Sequence, residues 1–359
     1  MGAAITTSNP ADFGSRQQTY FSKQLLKALI YNLRLAAYGV AKEVPANSGA
    51  DTIRFFRPRK AATTYVAKIT EGTTPTNLTE VSIGYVDCQL KQRGALAKIT
   101  DIVRAIDLFD TLQVYVKTMG ADAALDFDSI CRNAICANPA VAAHGLNAAA
   151  TTMYNSNGSY ERFAGVVNTA NSGNDFATFH AQAASAAKLT RAVHLGAITQ
   201  LRQANVPMVN GKYPVIVPAQ VLFDVRQDST WIAAAIQNAE ALKLFKWAEF
   251  ELDGGVFVEA QNAYREGATY GTYSATGENF GCLYLGAEAF GVPKLSGDKA
   301  GSDPRSPSMI ILTAADKADP LNQVVTAGWK SMYMACLLLT NEASDVPHVV
   351  VQRVKSTFA

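Results

Sequence analysis

The stretch GADTIRFFRPRKAATTYVAKITEGTTPTNLTEVSIGYVDCQLKQRGALAKIT, residues 49–100, alternates its side-chain types with a period of two. Ile53 and Phe55 alternate with Thr52, Arg54 and Phe56. Tyr65, Ala67 and Ile69 alternate with Thr64, Val66 and Lys68, and Val81, Ile83 and Tyr85 carry the pattern on toward Ile99. That period belongs to strands, and the turn-rich centre EGTTPTN, residues 71–77, divides it in two. A single long β-hairpin is therefore expected over residues 49–100. Its charge is lopsided: Arg54, Arg57, Arg59, Lys60, Lys68, Lys91, Arg93 and Lys98 outnumber Asp51, Glu71, Glu80 and Asp87 by eight to four.

An isolated two-stranded hairpin is marginal in water. Ordering about fifty residues costs on the order of 50–100 kcal/mol of backbone entropy, while apolar burial returns about 25 cal/mol per Å². The hairpin cannot supply that much cover for itself. Long elements with modest local cores are completed by neighbours, often by copies of the same chain.

Beyond the hairpin, Ile102, Ile106, Phe109, Leu112, Val116, Met119, Ala123, Phe127, Ile130 and Ala134 recur at gaps of three and four. This is the stripe of one helix over 101–137, with Thr100 or Asp101 placed to cap it and Asn138-Pro139 placed to stop it. At 1.5 Å per residue it makes a rod of roughly 50 Å, with Gly120 as the place for a bend. On the other side, residues 1–19 are small and polar and read as an extended arm. A short helix carrying Phe21, Leu25, Leu29 and Leu33 follows, ended by Gly39 and Pro45.

Residues 139–175 read as loop with a strand at 162–167, and 176–205 as two helical pieces divided at Gly196. Tyr213–Val217 reads as a buried strand. Pro218 then opens the helix AQVLFDVRQ, and Ser229 or Thr230 caps a helix carrying Trp231, Ala235, Ala239 and Leu242. Strand patterns dominate afterwards, at 256–258, 282–285, 309–312, 329–339 and 348–354. Strands gathered late in the chain argue for an α+β fold rather than a doubly wound sheet.

The 359 residues allow two or three compact units and exclude general disorder. Lys and Arg total 32 against 30 Asp and Glu, a net charge of +2, so bulk charge does not hold this protein to a polyanion. The longest apolar stretch, residues 332–339, falls far short of the roughly 20 residues that cross a bilayer, and no membrane partner is expected. The first residues carry no secretory pattern. Five scattered cysteines, Cys88, Cys131, Cys136, Cys282 and Cys336, do not make a disulfide framework and suit a reducing cytoplasm.

Motifs for chemistry are sparse. His144, His180, His194 and His348 do not stand at ligand spacing from one another or from a cysteine, so no metal site is expected. Cys131 and Cys136 project about 140° apart around a helix and read as core thiols. Ser185 and Lys188 fit Ser-x-x-Lys, but the companion motifs of a Ser-Lys hydrolase are missing, and a solvated helix face explains the pair more simply. No nucleotide-binding glycine motif occurs, and neither catalysis nor a cofactor is expected. Asp122, Asp126 and Asp128 read as solvated or salt-bridged. Residues 54–60, RFFRPRK, mix aromatics with cations as single-strand nucleic-acid binders do, yet strand alternation splits them between two faces. Docking on another protein explains them better.

The order of these segments resembles a known family. A polar arm, the long hairpin with TEGTTP at its turn, KITD leading into the long helix, YPVIVPAQVLFDVRQD, GGVFVEAQNAY, YLGAEAFGV and DPLNQVVTAGWK together resemble the major capsid proteins of tailed bacteriophages, particularly short-tailed ones. The likeness covers residues 16–356.

The resemblance implies the Hong Kong 97-like capsid fold. Residues 1–48 would be the N-terminal arm with its short helix, 49–100 the extended E-loop, and 101–212 a peripheral domain on the spine helix 101–137. Residues 213–340 would form the axial domain and 341–359 a C-terminal strand returning to the periphery. The implied function is a structural capsid subunit, assembled in the bacterial host cytoplasm into hexamers and pentamers of an icosahedral virion shell. The shell would enclose double-stranded DNA without reading its sequence. A separate scaffolding protein, a portal and a decoration protein are the implied partners. Ile53, Arg54, Phe55, Arg57, Arg59, Lys60, Lys68 and Tyr85 are the expected inter-subunit contacts, with Arg57, Arg59 and Lys60 near acidic groups of the neighbour and Ile53, Phe55 and Tyr85 on its apolar surface. The nearest rival is an encapsulin-like compartment, which would hold protein and no genome.

Overall fold

A computed structural model describes residues 23–25, 27, 33–44, 51–58, 71–72, 83–106, 111–136, 160–164, 179–237, 250–269, 272–295, 308–312, 323–339 and 348–358. In chain order its strands and helices are β1 (Val40–Val44), β2 (Thr52–Pro58), β3 (Ile83–Gln89), β4 (Gln92–Thr100), α1 (Asp101–Ile106), α2 (Thr111–Cys136) and β5 (Tyr160–Phe163). There follow α3 (Arg191–Gln203), β6 (Tyr213–Val217), α4 (Ala219–Gln227), α5 (Ser229–Gln237), β7 (Phe250–Leu252), β8 (Gly255–Glu259) and β9 (Tyr264–Glu266). The chain ends with β10 (Asn279–Leu285), β11 (Phe290–Leu295), β12 (Ser308–Leu312), β13 (Val324–Met332), β14 (Cys336–Leu337) and β15 (Val349–Lys355). The expected α+β class holds.

The central layer is a seven-stranded sheet in the order β5-β15-β10-β6-β8-β7, with β9 on β10. It draws strands from the segments expected as peripheral, axial and C-terminal alike. Both its faces are covered, so β6 and β15 bury every residue along YPVIV and VVVQRVK. Ile216, Val258, Leu283, Leu285, Val349 and Val351 face α2, which lays Val116, Met119, Ala123, Phe127, Ile130 and Ile135 against that side. Val215, Val217, Phe257, Cys282, Tyr284 and Val350 face the opposite way, where α3, α4 and α5 supply Leu201, Val221, Val225 and Trp231.

The long helical stripe is only half buried. From Val116 onward it packs as its spacing predicts, and helical structure runs on through Gly120 without interruption. In α1, however, Ile102, Val103 and Ile106 are exposed, although the sequence pattern assigns Ile102 and Ile106 to the buried stripe. Periodicity marks an apolar face; it does not say that the same chain covers it.

Asp128, expected as a solvated or salt-bridged acid, is buried in α2 and accepts the backbone N–H groups of Arg34, Leu35 and Ala36 at 2.9, 3.1 and 3.0 Å. It pins the short 3-10 turn Ala36–Tyr38 to the long helix. Burial pushes its carboxyl pKa up, and the three donors pull only partly against that. Asp128→Ala leaves buried donors without a partner and is expected to cost about 2 kcal/mol, read as a lower urea midpoint, with proteolysis first freeing the segment before Val40. Of the other two acids, Asp126 pairs with Arg93 at 3.3 Å.

Other boundaries shift for identifiable reasons. The expected break at Gly196 does not occur, because α3 begins only at Arg191, where Thr190 caps it by accepting from Val193 N–H at 3.4 Å. Residues 183–189 are turn rather than helix, so Ser185 and Lys188 do not share a helix face, and Lys188 instead faces Asp228 at 3.9 Å. Pro218 stands as the N-cap of α4, one position before the first helical residue. The strand read at 329–339 ends at Met332 and resumes as β14, while Ala239 and Leu242 lie outside the described residues.

His194 shows how the second apolar layer depends on pH. It lies on α3, fully buried among Trp231, Phe257 and Tyr284. Nε2 faces the Leu252 carbonyl at 3.3 Å and Nδ1 the Tyr284 hydroxyl at 3.0 Å. A carbonyl only accepts, so the proton sits on Nε2 and Nδ1 accepts from the tyrosine. Burial, partly opposed by the Leu252 carbonyl, lowers the imidazole pKa from 6.5 to about 4. The unfolded chain therefore binds this proton below pH 6.5 while the folded one resists it until about pH 4. Stability should fall as pH drops through that window, by about 3 kcal/mol in full. His194→Phe is expected to flatten this part of the stability–pH curve, measured by urea unfolding between pH 7 and 4.

Candidate assembly surface

The hairpin that organises the sequence is present but shorter and differently continued. β2 and β3 pair antiparallel with Ile53 opposite Cys88, Phe55 opposite Val86 and Phe56 opposite Tyr85. The single-hairpin expectation then fails: β4 leaves for the three-stranded sheet β12-β13-β4, pairing over its whole length from Val324 opposite Thr100 to Met332 opposite Gln92. Two residues, Leu90 and Lys91, make the change. Leu90 N–H donates to the Asp51 carbonyl at 2.8 Å on the hairpin side, and Tyr333 N–H donates to the Lys91 carbonyl at 3.0 Å on the sheet side. A period-two pattern specifies strand without specifying the partner.

Strand alternation divides the hairpin into two faces. The inner face, Ile53, Phe55, Arg57 and Cys88, is buried against the chain's own body. Ile53, Phe55 and Cys88 join Val44, Leu90 and Leu338 in a separate apolar cluster. The body here is the sheet β1-β11-β14. Phe55 sits on Gly291 of β11, where an added Cβ would lie 2.7 Å from the ring, so only glycine admits the phenyl group. Ile53, Phe55 and Arg57, expected at a contact with a neighbouring subunit, point inward in the single chain, because their parity matches that of the buried Cys88.

The outer face carries Phe56, Ile83 and Tyr85, which are 65%, 61% and 55% exposed. Arg54 bridges Asp87 with two hydrogen bonds of 2.7 and 2.9 Å and lies 3.9 Å from the centre of the Tyr85 ring. That pairing holds the Asp87 carboxyl below the usual carboxylate range. Lys42 of β1 reaches over from the body, donating to the Arg54 carbonyl at 2.6 Å with its ammonium 5.2 Å from the Phe56 ring. Arg54, the first cation of RFFRPRK, is thus engaged within the chain. Tyr85 lies on this outer face, opposite to Ile53 and Phe55 with which it was expected to act, and Arg59, Lys60 and Lys68 lie outside the described residues.

Sequence reasoning missed a second exposed apolar surface. Leu96 on β4, Ile102, Val103 and Ile106 on α1, and Val114 and Tyr115 on α2 all face solvent, Ile106 at 78%. Its signal is the stripe that begins at Ile102 and Ile106, since a helical period marks an apolar face without saying what covers it. Among the described residues no cluster of His, Cys, Asp or Glu could hold a metal ion, and no helix is long and apolar enough to cross a membrane.

No family model matches the chain, and no curated protein matches it by sequence. Solved structures do. The capsid of Ralstonia phage GP4 superposes with a TM-score of 0.62 at 15% identity, covering 90% of this chain and 88% of that one. The cyanophage Pam1 capsid chain gives 0.62 at 13% identity over 92% of this chain and 93% of its own. The capsid of cyanophage P-SCSP1u gives 0.56 at 14% identity over 89% and 87%. The chain therefore has the fold of phage capsid subunits along almost its whole length.

Proposed function

We propose that this chain is the structural major capsid protein of a tailed, double-stranded DNA bacteriophage, without enzymatic activity, in a Hong Kong 97-like arrangement of its parts. The observation that carries the reading is the two-faced hairpin. Its inner side is closed by its own body, its outer side keeps Phe56, Ile83 and Tyr85 uncovered, and a separate uncovered surface lies on α1 and the start of α2. Two different apolar surfaces on one chain suit a heterologous contact between copies, the kind that closes into rings. Many such contacts of modest strength add up to a stable container.

In this arrangement the hairpin that pairs β2 with β3 serves as the E-loop, and the outer face of one copy rests on the α1–α2 surface of the next. Arg54 and Tyr85 are then at the contact, with Phe56 and Ile83 beside them, and Arg59, Lys60 and Lys68 serve the same contact. Hexamers and pentamers build the shell in the host cytoplasm with a separate scaffolding protein, a portal and a decoration protein as partners. The net charge of +2 suits a wall that encloses DNA and later lets it leave.

The test is electron microscopy of the chain expressed alone and together with a candidate scaffolding protein from the same genome. Closed shells of uniform size are expected in at least the second preparation. Compact monomers in both overturn the proposal.

A further inference from the structure

The contact between hairpin and body also holds a pair of sulfur atoms. Cys88 lies on the inner face of β3, opposite Ile53 and on the same side as Phe55. Cys336 lies on β14 directly opposite Gly291 of β11, and Gly291 is the residue that receives the Phe55 ring. Neighbours on the hairpin therefore meet neighbours on the body: Phe55 rests on Gly291, and Cys88 meets Cys336. Both belong to the apolar cluster that joins the hairpin to the body. The strand registers and the shared cluster therefore bring the two thiols to the same seam, where Cys336 Sγ donates to the Gly291 carbonyl at 3.8 Å. Both thiols are free.

We propose that Cys88 and Cys336 form a thiol–disulfide site whose oxidation staples the hairpin to the body. A disulfide needs Cβ atoms roughly 3.5–4.5 Å apart, a spacing that side chains meeting across one seam reach by rotation and a small strand adjustment. The oxidant is a small disulfide such as oxidised glutathione. The Cys88 thiolate attacks one glutathione sulfur, its S–S bond breaks, and the departing glutathione takes up the proton lost by Cys88. The Cys336 thiolate then attacks the Cys88 sulfur of the mixed disulfide and expels the second glutathione, which is protonated in turn. The chain loses two hydrogen atoms, and one glutathione disulfide is reduced to two thiols.

With the hairpin docked, the neighbouring Cys88 thiol and burial push the Cys336 thiol pKa far up, so the thiolate needed for the second step is scarce. Oxidation consequently waits on the hairpin lifting from its seat, and the bond, once formed on its return, prevents the next opening. The site concerns contacts within one chain and stands whether or not copies assemble.

The test is incubation of the full chain with oxidised glutathione, in buffer and in mild urea that loosens the hairpin, followed by peptide mapping and amide hydrogen exchange. The expected result is a linked Cys88–Cys336 peptide, formed faster in urea and absent from Cys88→Ala and Cys336→Ala. Exchange over residues 83–89 should slow at least about tenfold in the oxidised chain returned to buffer. Bonds to Cys131, Cys136 or Cys282 instead, glutathione adducts alone, no bond in either condition, or a bond that leaves exchange unchanged would each overturn the proposal. If either variant fails to fold, the peptide map of the unaltered chain decides.

Discussion

Arg353→Met, with Glu266 left in place, is expected to lower the unfolding free energy by about 3–5 kcal/mol. The two side chains are completely buried, with Nη1 and Oε1 3.2 Å apart, and the guanidinium lies 4.7 Å from the centre of the Tyr264 ring. Arg353 points from β15 toward the α2 side of the central sheet, and Glu266 approaches from β9 across β10. Removing the cation leaves a carboxylate inside an apolar layer, where an unpaired charge costs far more than the pair contributes. The same reasoning predicts that Arg353→Met combined with Glu266→Leu recovers most of the loss. Urea unfolding of the unassembled chain, followed by tryptophan fluorescence, measures both. A single variant within about 1 kcal/mol of the parent would show that the pair is solvated in solution.

The second large effect contrasts two adjacent phenylalanines. Phe55→Ala empties a site between the hairpin and Gly291 and is expected to cost about 3–5 kcal/mol, with amide exchange rising first in β2 and β3. Phe56→Ser, one residue later and facing solvent, should change the stability of the chain by only about 0.5 kcal/mol. Assembly should respond in a different way: Phe56→Ser paired with Tyr85→Ser is expected to give folded subunits that fail to close shells, counted by microscopy and sedimentation. Shell formation by that double variant at the parental level would remove the outer face from the assembly surface.

Much of this was legible in the sequence, and the limits have physical causes. Alternation at Ile53 to Phe56 announced strand because period is a local property of the backbone. It could not announce that Gln92–Thr100 pairs with β13 more than two hundred residues away, since partner choice is made by tertiary packing. The stripe of α2 was readable from Val116 to Ile130, whereas Ile102 and Ile106 carry the same signal and stay uncovered. Spacing cannot tell a face buried by its own chain from one reserved for another. Asp128 was misread for the opposite reason. An acid three positions from Leu125 and one from Phe127 looks like a surface residue until the backbone that returns to it, Arg34 to Ala36, is in view. The hairpin site was half visible: parity separated Phe55 from Phe56, but which side would meet the body depended on Gly291, an unremarked glycine in a different part of the chain.

The placement of β15 has a consequence for biogenesis. It lies inside the central sheet, parallel to β5 and antiparallel to β10, so neither neighbour has its full set of ladder bonds until residues 349–355 have been synthesised. Every residue from Tyr160 to Lys355 must therefore have been made before the main layer can knit together. Closure of that layer is gated by contacts nearly two hundred positions apart between Tyr160 and Val350, which slows its formation.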